Sequence, residues 1–139
     1  MIDEYITTTF ECEKRNSPLV FDSKIVSYGN SYQLIRLCEF SFKNEFKLLY
    51  RATRDGFSSQ SFHSKCDNIP KTLTIIKVKD KPHIFGGYTE TTWDGNYSDK
   101  QDPNAFIFSL VNDDKKPLKM KIYHTNQYAI YSHSSYGPT

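Results

Sequence analysis

No run of apolar residues in the 139-residue chain approaches the roughly 20 that a membrane-crossing helix requires. The opening residues, Met1-Ile2-Asp3-Glu4-Tyr5, carry neither the basic start nor the apolar stretch of a secretory signal. Cysteine is scarce. Cys12, Cys38 and Cys66 are an odd number at wide spacing, which argues against a secreted disulfide framework. An intracellular, cytoplasmic location with three free thiols is the expectation, and the glycosylation-like Asn96-Tyr97-Ser98 then has no consequence. An excess of one charge is missing too: 18 Lys and Arg stand against 16 Asp and Glu, interspersed, for a net +2. The denser basic stretches, at 77–81 and 115–121, are mixed with apolar residues or Asp, as on solvent-facing strands and turns. With neither a clustered basic face nor a nucleic-acid-binding motif, a nucleic-acid partner is not expected. Repeats and low-complexity blocks are absent.

What is abundant is aromatic surface. Only 37% of the residues are apolar, but ten Phe, ten Tyr and one Trp supply much of the area that can be buried. Large aromatic side chains fit a half-buried pleated surface, so the composition favours strands. The length suits a single domain that buries roughly two-thirds of its unfolded surface, with no disulfide or metal staple required.

Residues 1–22 show no clear hydrophobic period and read as a lead-in, with a short strand at 17–21. Gly29-Asn30-Ser31 is a helix start, followed by the apolar stripe Leu34, Ile35, Leu37 and Cys38. Residues 46–52 read as a strand with Leu48 and Tyr50 on one face, Leu49 and Arg51 on the other. Asp55 or Ser58 then caps a short helix that places Phe62 and Cys66 on one side. From Thr72 the period is two. Residues 72–79 and 83–89 form a hairpin, 91–104 a long polar loop, and 105–111 the clearest strand, with Phe106, Phe108 and Leu110 facing inward. Residues 118–124 and 128–132 are expected to pair with each other. Several strands are apolar on both faces, which demands two packed sheets or a sheet covered by helices.

Few residues suggest chemistry. Phe85-Gly86-Gly87-Tyr88 lies within a strand and does not open a helix, so its glycines fit a close backbone approach better than a phosphate cradle. His63 and Cys66, three apart on a helix, are the one pairing suited to a metal or an activated thiolate. His83, His124 and His133 are scattered, so a four-ligand zinc set is not assembled. Lys65 and Asp67 flank Cys66 with cancelling charges, and the simpler expectation is a buried Cys66 beside a solvent-facing His63. No cofactor or metal is expected. For partner binding the candidates are Arg54, Asp55 and Trp93. The first two equally suit a turn in which Asp55 caps a helix and Arg54 pairs with an acid. Trp93 suits either an interface anchor or a ring pinning its loop to the sheet.

A series of short motifs carries a resemblance. Leu48-Leu49-Tyr50-Arg51-Ala52-Thr53-Arg54-Asp55-Gly56-Phe57 is followed by Phe62-His63-Ser64-Lys65-Cys66-Asp67-Asn68 and Thr72-Leu73-Thr74-Ile75-Ile76. Then come Ile84-Phe85-Gly86-Gly87-Tyr88-Thr89, Trp93, Asp102-Pro103-Asn104-Ala105-Phe106-Ile107-Phe108-Ser109-Leu110, Tyr128-Ala129-Ile130-Tyr131 and Ser134-Ser135-Tyr136-Gly137-Pro138-Thr139. In order and spacing, residues 23–139 resemble the TLDc domain. The family's pattern continues past Gly-Pro-Thr into a Gly-rich stretch and further strands, so the domain is expected to be incomplete at its C-terminal end. The resemblance implies a mainly β fold, an antiparallel two-sheet sandwich flanked by short helices. It implies a non-enzymatic protein-interaction module of eukaryotic cells linked to protection against oxidative stress. It also implies binding and regulation of the vacuolar proton-pumping ATPase, with no agreed catalytic residues. The alternative is a thiol- or metal-dependent redox enzyme using Cys66 and His63.

Overall fold

A computed structural model describes residues 5–14, 23–41, 43–123 and 128–137. Along them run β1 (Tyr5–Lys14), α1 (Tyr28–Cys38), β2 (Asn44–Arg51), α2 (Ala52–Asp55), α3 (Ser59–Cys66), β3 (Thr72–Val78), β4 (Ile84–Thr89), β5 (Ser98–Lys100), β6 (Phe106–Val111), β7 (Leu118–Lys121) and β8 (Ile130–Ser132). A six-stranded sheet has the order β2-β1-β3-β4-β6-β7, and β5 and β8 form a separate two-stranded ribbon. Every pairing between these strands is antiparallel. The chain is mainly β, with two antiparallel sheets and short helices, as the sequence leads one to expect.

The main core lies between one face of the large sheet and α1. Ser27 caps α1, its Oγ accepting the Asn30 N–H at 3.3 Å, and Glu39 ends it in a left-handed conformation. The helix therefore begins before Gly29-Asn30-Ser31, and the Ser31 hydroxyl donates back to the Ser27 carbonyl at 2.9 Å. Leu34, Ile35 and Cys38 meet Phe10, Cys12, Phe46, Leu73, Ile75 and Phe108 from the sheet. Burying each large aliphatic side chain here contributes about 1.5–3 kcal/mol. On β6 the alternation holds: Phe106, Phe108 and Leu110 are buried, whereas Ile107 is 58% exposed on the opposite face.

Three expectations need correction. The segment read as a lead-in contains β1, an interior strand hydrogen-bonded to β2 on one side and β3 on the other. Thr7, Thr8 and Thr9 are all buried, and the Thr9 and Thr74 hydroxyls meet at 3.1 Å. Threonine is β-branched and favours strands, yet it contributes nothing to a hydrophobic period, so the strand was not evident from apolar spacing. The strand expected at 17–21 lies outside the described residues.

Second, Leu48 and Tyr50 do not share a face. Phe10 pairs with Leu48 and Thr9 with Tyr50, so Leu49 is an extra residue in a β-bulge. A bulge resets the alternation. Leu48 packs on the main core, and Tyr50 on a smaller one with Ala52, Phe62 and Cys66.

Third, residues 118–124 and 128–132 do not pair with each other. β7 folds back on β6, with Ile107 opposite Met120, while β8 pairs with β5 inside the stretch read as a polar loop. The buried Asp102 anchors that loop. One carboxylate oxygen accepts from the Thr89 hydroxyl at 2.6 Å, the Glu90 N–H at 2.6 Å and the Thr91 N–H at 3.2 Å. Its other oxygen accepts the Asn104 N–H at 3.0 Å.

Candidate functional site

The face of the large sheet turned away from α1 forms the floor of a cleft. Thr74 and Ile76 of β3, Phe85 and Gly87 of β4, Ile107 of β6 and Met120 of β7 line it. Alternation dictates this set, since the intervening residues face the main core. Ala129, Ile130 and Tyr131, at the start of the β5–β8 ribbon, form the facing wall, enclosing about 490 Å³. Polar contribution is confined to hydroxyls and backbone. Among the described residues, no carboxylate, imidazole, amine, guanidinium or thiol lines the cleft. Leu118, Met120 and Tyr131 are exposed around it with Ile107, making an open apolar rim.

Trp93 stands at one end of this cleft. Its indole N–H donates to the Thr72 hydroxyl at 3.1 Å and its ring meets Phe62 edge-on at 5.5 Å. The ring therefore fastens its loop to the sheet while still presenting a surface to the cleft. Arg54 and Asp55 do not line the cleft. The Asp55 carboxylate accepts the Arg51 N–H at 2.9 Å and both Nε and Nη2 of Arg54, at 2.8 and 2.7 Å. These two hydrogen bonds from Arg54, foremost, hold the Asp55 carboxyl down at about 2. Arg54 also donates to the Leu49 carbonyl at 3.1 Å. The pair thus braces the bulged end of β2. The cap on α3 is Ser58, whose Oγ accepts the Ser61 N–H, and not Asp55.

Cys66 and His63 sit in different surroundings, the thiol in the smaller core and the imidazole against Asp67. The Cys66 residue is fully buried, and burial above all, with Asp67 adding, pushes its thiol up to about 12 despite a hydrogen bond with the Thr9 side chain. Burial likewise raises Cys12 to about 11 and Cys38 to about 12. A thiol held that high is almost wholly protonated at neutral pH, and the thiolate is the nucleophile. His63 is not solvent-facing as expected. Its Nδ1 lies 2.7 Å from Asp67 Oδ1, and its Nε2 lies 3.0 Å from the His133 carbonyl and 2.9 Å from that of Tyr136. The sequence carried a signal for this: Asp67 follows His63 by one helical turn, the spacing at which side chains meet. Among the described residues, no group of three or more His, Cys, Asp or Glu could hold a metal ion. His124 lies outside them.

The model of the TLDc domain family matches residues 19–139. The chain belongs to the TLDc domain family. No curated protein and no solved structure matches it. The matched span of this TLDc domain includes the whole cleft and the His63 cluster, whereas β1 precedes it. The family itself is associated with resistance to oxidative stress. No helix among the described residues is long and apolar enough to cross a membrane.

Proposed function

We propose that this TLDc domain is a non-enzymatic interaction module that contributes to protection against oxidative stress by binding and regulating the vacuolar proton-pumping ATPase. The observation that carries the non-enzymatic part is the chemistry of the cleft. An open apolar hollow with an aromatic at its end suits a protein surface. Ser and Thr hydroxyls line the cleft, but among the described residues no carboxylate, imidazole or amine lines it to act as the base that activates such a hydroxyl. The competing thiol mechanism requires an accessible thiolate, and the burial of Cys66 opposes it. The choice of partner rests on what the family resemblance implies.

The test is direct. Purified protein is mixed with detergent-solubilised vacuolar ATPase, and co-sedimentation and ATP hydrolysis are followed together. Binding and a change in hydrolysis rate are expected. Ile107→Glu combined with Met120→Glu should weaken binding by about tenfold or more, as desolvating two carboxylates at an apolar contact opposes association. Absence of co-sedimentation at micromolar concentrations of both partners overturns the reading. So does unimpaired binding by the double variant, which removes the cleft from it.

A further inference from the structure

The surroundings of His63 have a consequence independent of any partner. The ring joins two parts of the chain distant in sequence: α3, and the turn at 133–136 that follows β8. All its hydrogen-bond partners are oxygens that can only accept: an Asp67 carboxylate at Nδ1, and the backbone carbonyls of His133 and Tyr136 at Nε2. A neutral imidazole has one N–H and one lone pair. In either neutral tautomer, one nitrogen therefore points a lone pair at an oxygen lone pair. Only the imidazolium, a donor at both nitrogens, satisfies the whole arrangement. We propose that His63 is a proton-operated latch, which as imidazolium fastens the 133–137 turn to α3 and as neutral imidazole releases it.

Release occurs on the turn side. Keeping the proton on Nδ1 retains the bond to the Asp67 carboxylate, so the lone pair falls on Nε2, against the two carbonyls. The proton leaves to solvent, and no bond other than N–H is broken. Asp67 is the charged group facing the ring. From the same helix Phe62 meets it edge-on at 5.3 Å. The turn contributes the two carbonyls, while its own His133 faces elsewhere. The His133 Nδ1 accepts the Ser135 N–H at 3.0 Å and its ring packs on Tyr97, Tyr131 and Tyr136. Burial opposes charge on His63, but Asp67 and the carbonyls outweigh it, and the net effect is an upward shift.

The sign of the pH dependence follows. A histidine whose folded pKa lies above its unfolded value contributes stability that is complete below about 6.5 and is lost as pH rises through the folded pKa. The latch is thus shut in mild acid and opens on the alkaline side. Gly137, at the end of the turn, borders the apolar cleft, and β8 forms part of the ribbon over it. Opening frees the end of that ribbon.

The experiment is a pH titration of the whole 139-residue chain by NMR between about pH 5.5 and 9. It follows the His63 ring nitrogens and the exchange protection of the amides at 133–137. The ring should titrate above the free imidazole value with both nitrogens protonated at low pH. Protection of those amides, corrected for intrinsic exchange, should fall about tenfold or more with the same midpoint, as expected for losing charge-assisted bonds. Asp67→Asn should move both midpoints to lower pH together. His63→Gln should abolish the alkaline-side loss of protection in the turn. A ring titrating at or below the free value, or turn protection unchanged across the transition, overturns the latch. The parent titration and the Asp67→Asn shift decide the matter even if His63→Gln folds poorly.

Discussion

Gly86→Ala is expected to abolish cooperative folding. A Cβ at this position would overlap the Thr74 carbonyl oxygen and falls 2.7 Å from Cζ of Phe108. Both neighbours are fixed. Gly86 sits in β4 between β3 and β6, opposite Ile75 and Phe108, in the middle of the large sheet. The Phe108 ring lies where a side chain would go, the arrangement by which an aromatic covers a strand glycine. Moving a carbonyl of an interior strand by more than an ångström breaks ladder hydrogen bonds on both sides. The cost exceeds the usual 1–3 kcal/mol of overpacking and is of the order of the whole stability of a small domain, about 5–15 kcal/mol. Gly87→Ala provides the control. Its added Cβ meets the Phe106 carbonyl oxygen at 3.4 Å and Ile107 Cγ2 at 3.6 Å, which is ordinary contact. A thermal melt by circular dichroism should show no transition for Gly86→Ala and a near-parental one for Gly87→Ala. Parental melting of Gly86→Ala would mean that β3, β4 and β6 are not packed in this register.

Phe108→Ala should lower stability by about 3–5 kcal/mol, the range for deleting a fully buried ring. The residue is 1% exposed and belongs to the main core formed between the sheet and α1. Because the Phe108 ring also covers Gly86, its removal opens a hollow that no neighbouring side chain on β4 can fill. Ile107→Ala, one position away but on the open face, should change stability by no more than about 0.5–1 kcal/mol. Urea denaturation of the three proteins measures both. A Phe108→Ala change below about 0.5 kcal/mol would place the residue on the wrong face.

These cases show which physics reached the surface of the sequence. Alternation on β6 was legible because each inward residue is a large apolar side chain and each boundary is a turn. β1 was not, because three consecutive threonines carry strand propensity without hydrophobic contrast. The Leu49 bulge was hidden because alternation fixes faces only while the register is unbroken, and a register shift depends on the partner strand. The ribbon was missed for a related reason: β5 and β8 are only three residues each and depend on one another across the chain. At the candidate site, the sequence singles out Trp93 and His63, and the structure places Trp93 on the cleft and His63 against the 133–136 turn. Their roles were not legible, since these depend on Thr72, His133 and Tyr136, contacts made only after folding. Asp102 falls within the stretch that reads as a polar loop, 91–104. Its buried carboxylate acquires meaning from four donors that the sequence does not bring together.

Interaction through a surface and chemistry at a thiol make opposite demands on two sets of residues, so a survival assay separates them. A eukaryotic cell made peroxide-sensitive by loss of its own TLDc protein is supplied with the parent chain, with Cys66→Ala, or with Ile107→Glu combined with Met120→Glu. Levels and melting behaviour of each are checked to be comparable. Protection by the parent and by Cys66→Ala, with loss of protection in the double variant, is the expected result. Protection that disappears with the Cys66 thiol and persists in the double variant would contradict it, and would return the chain to the class of redox enzymes.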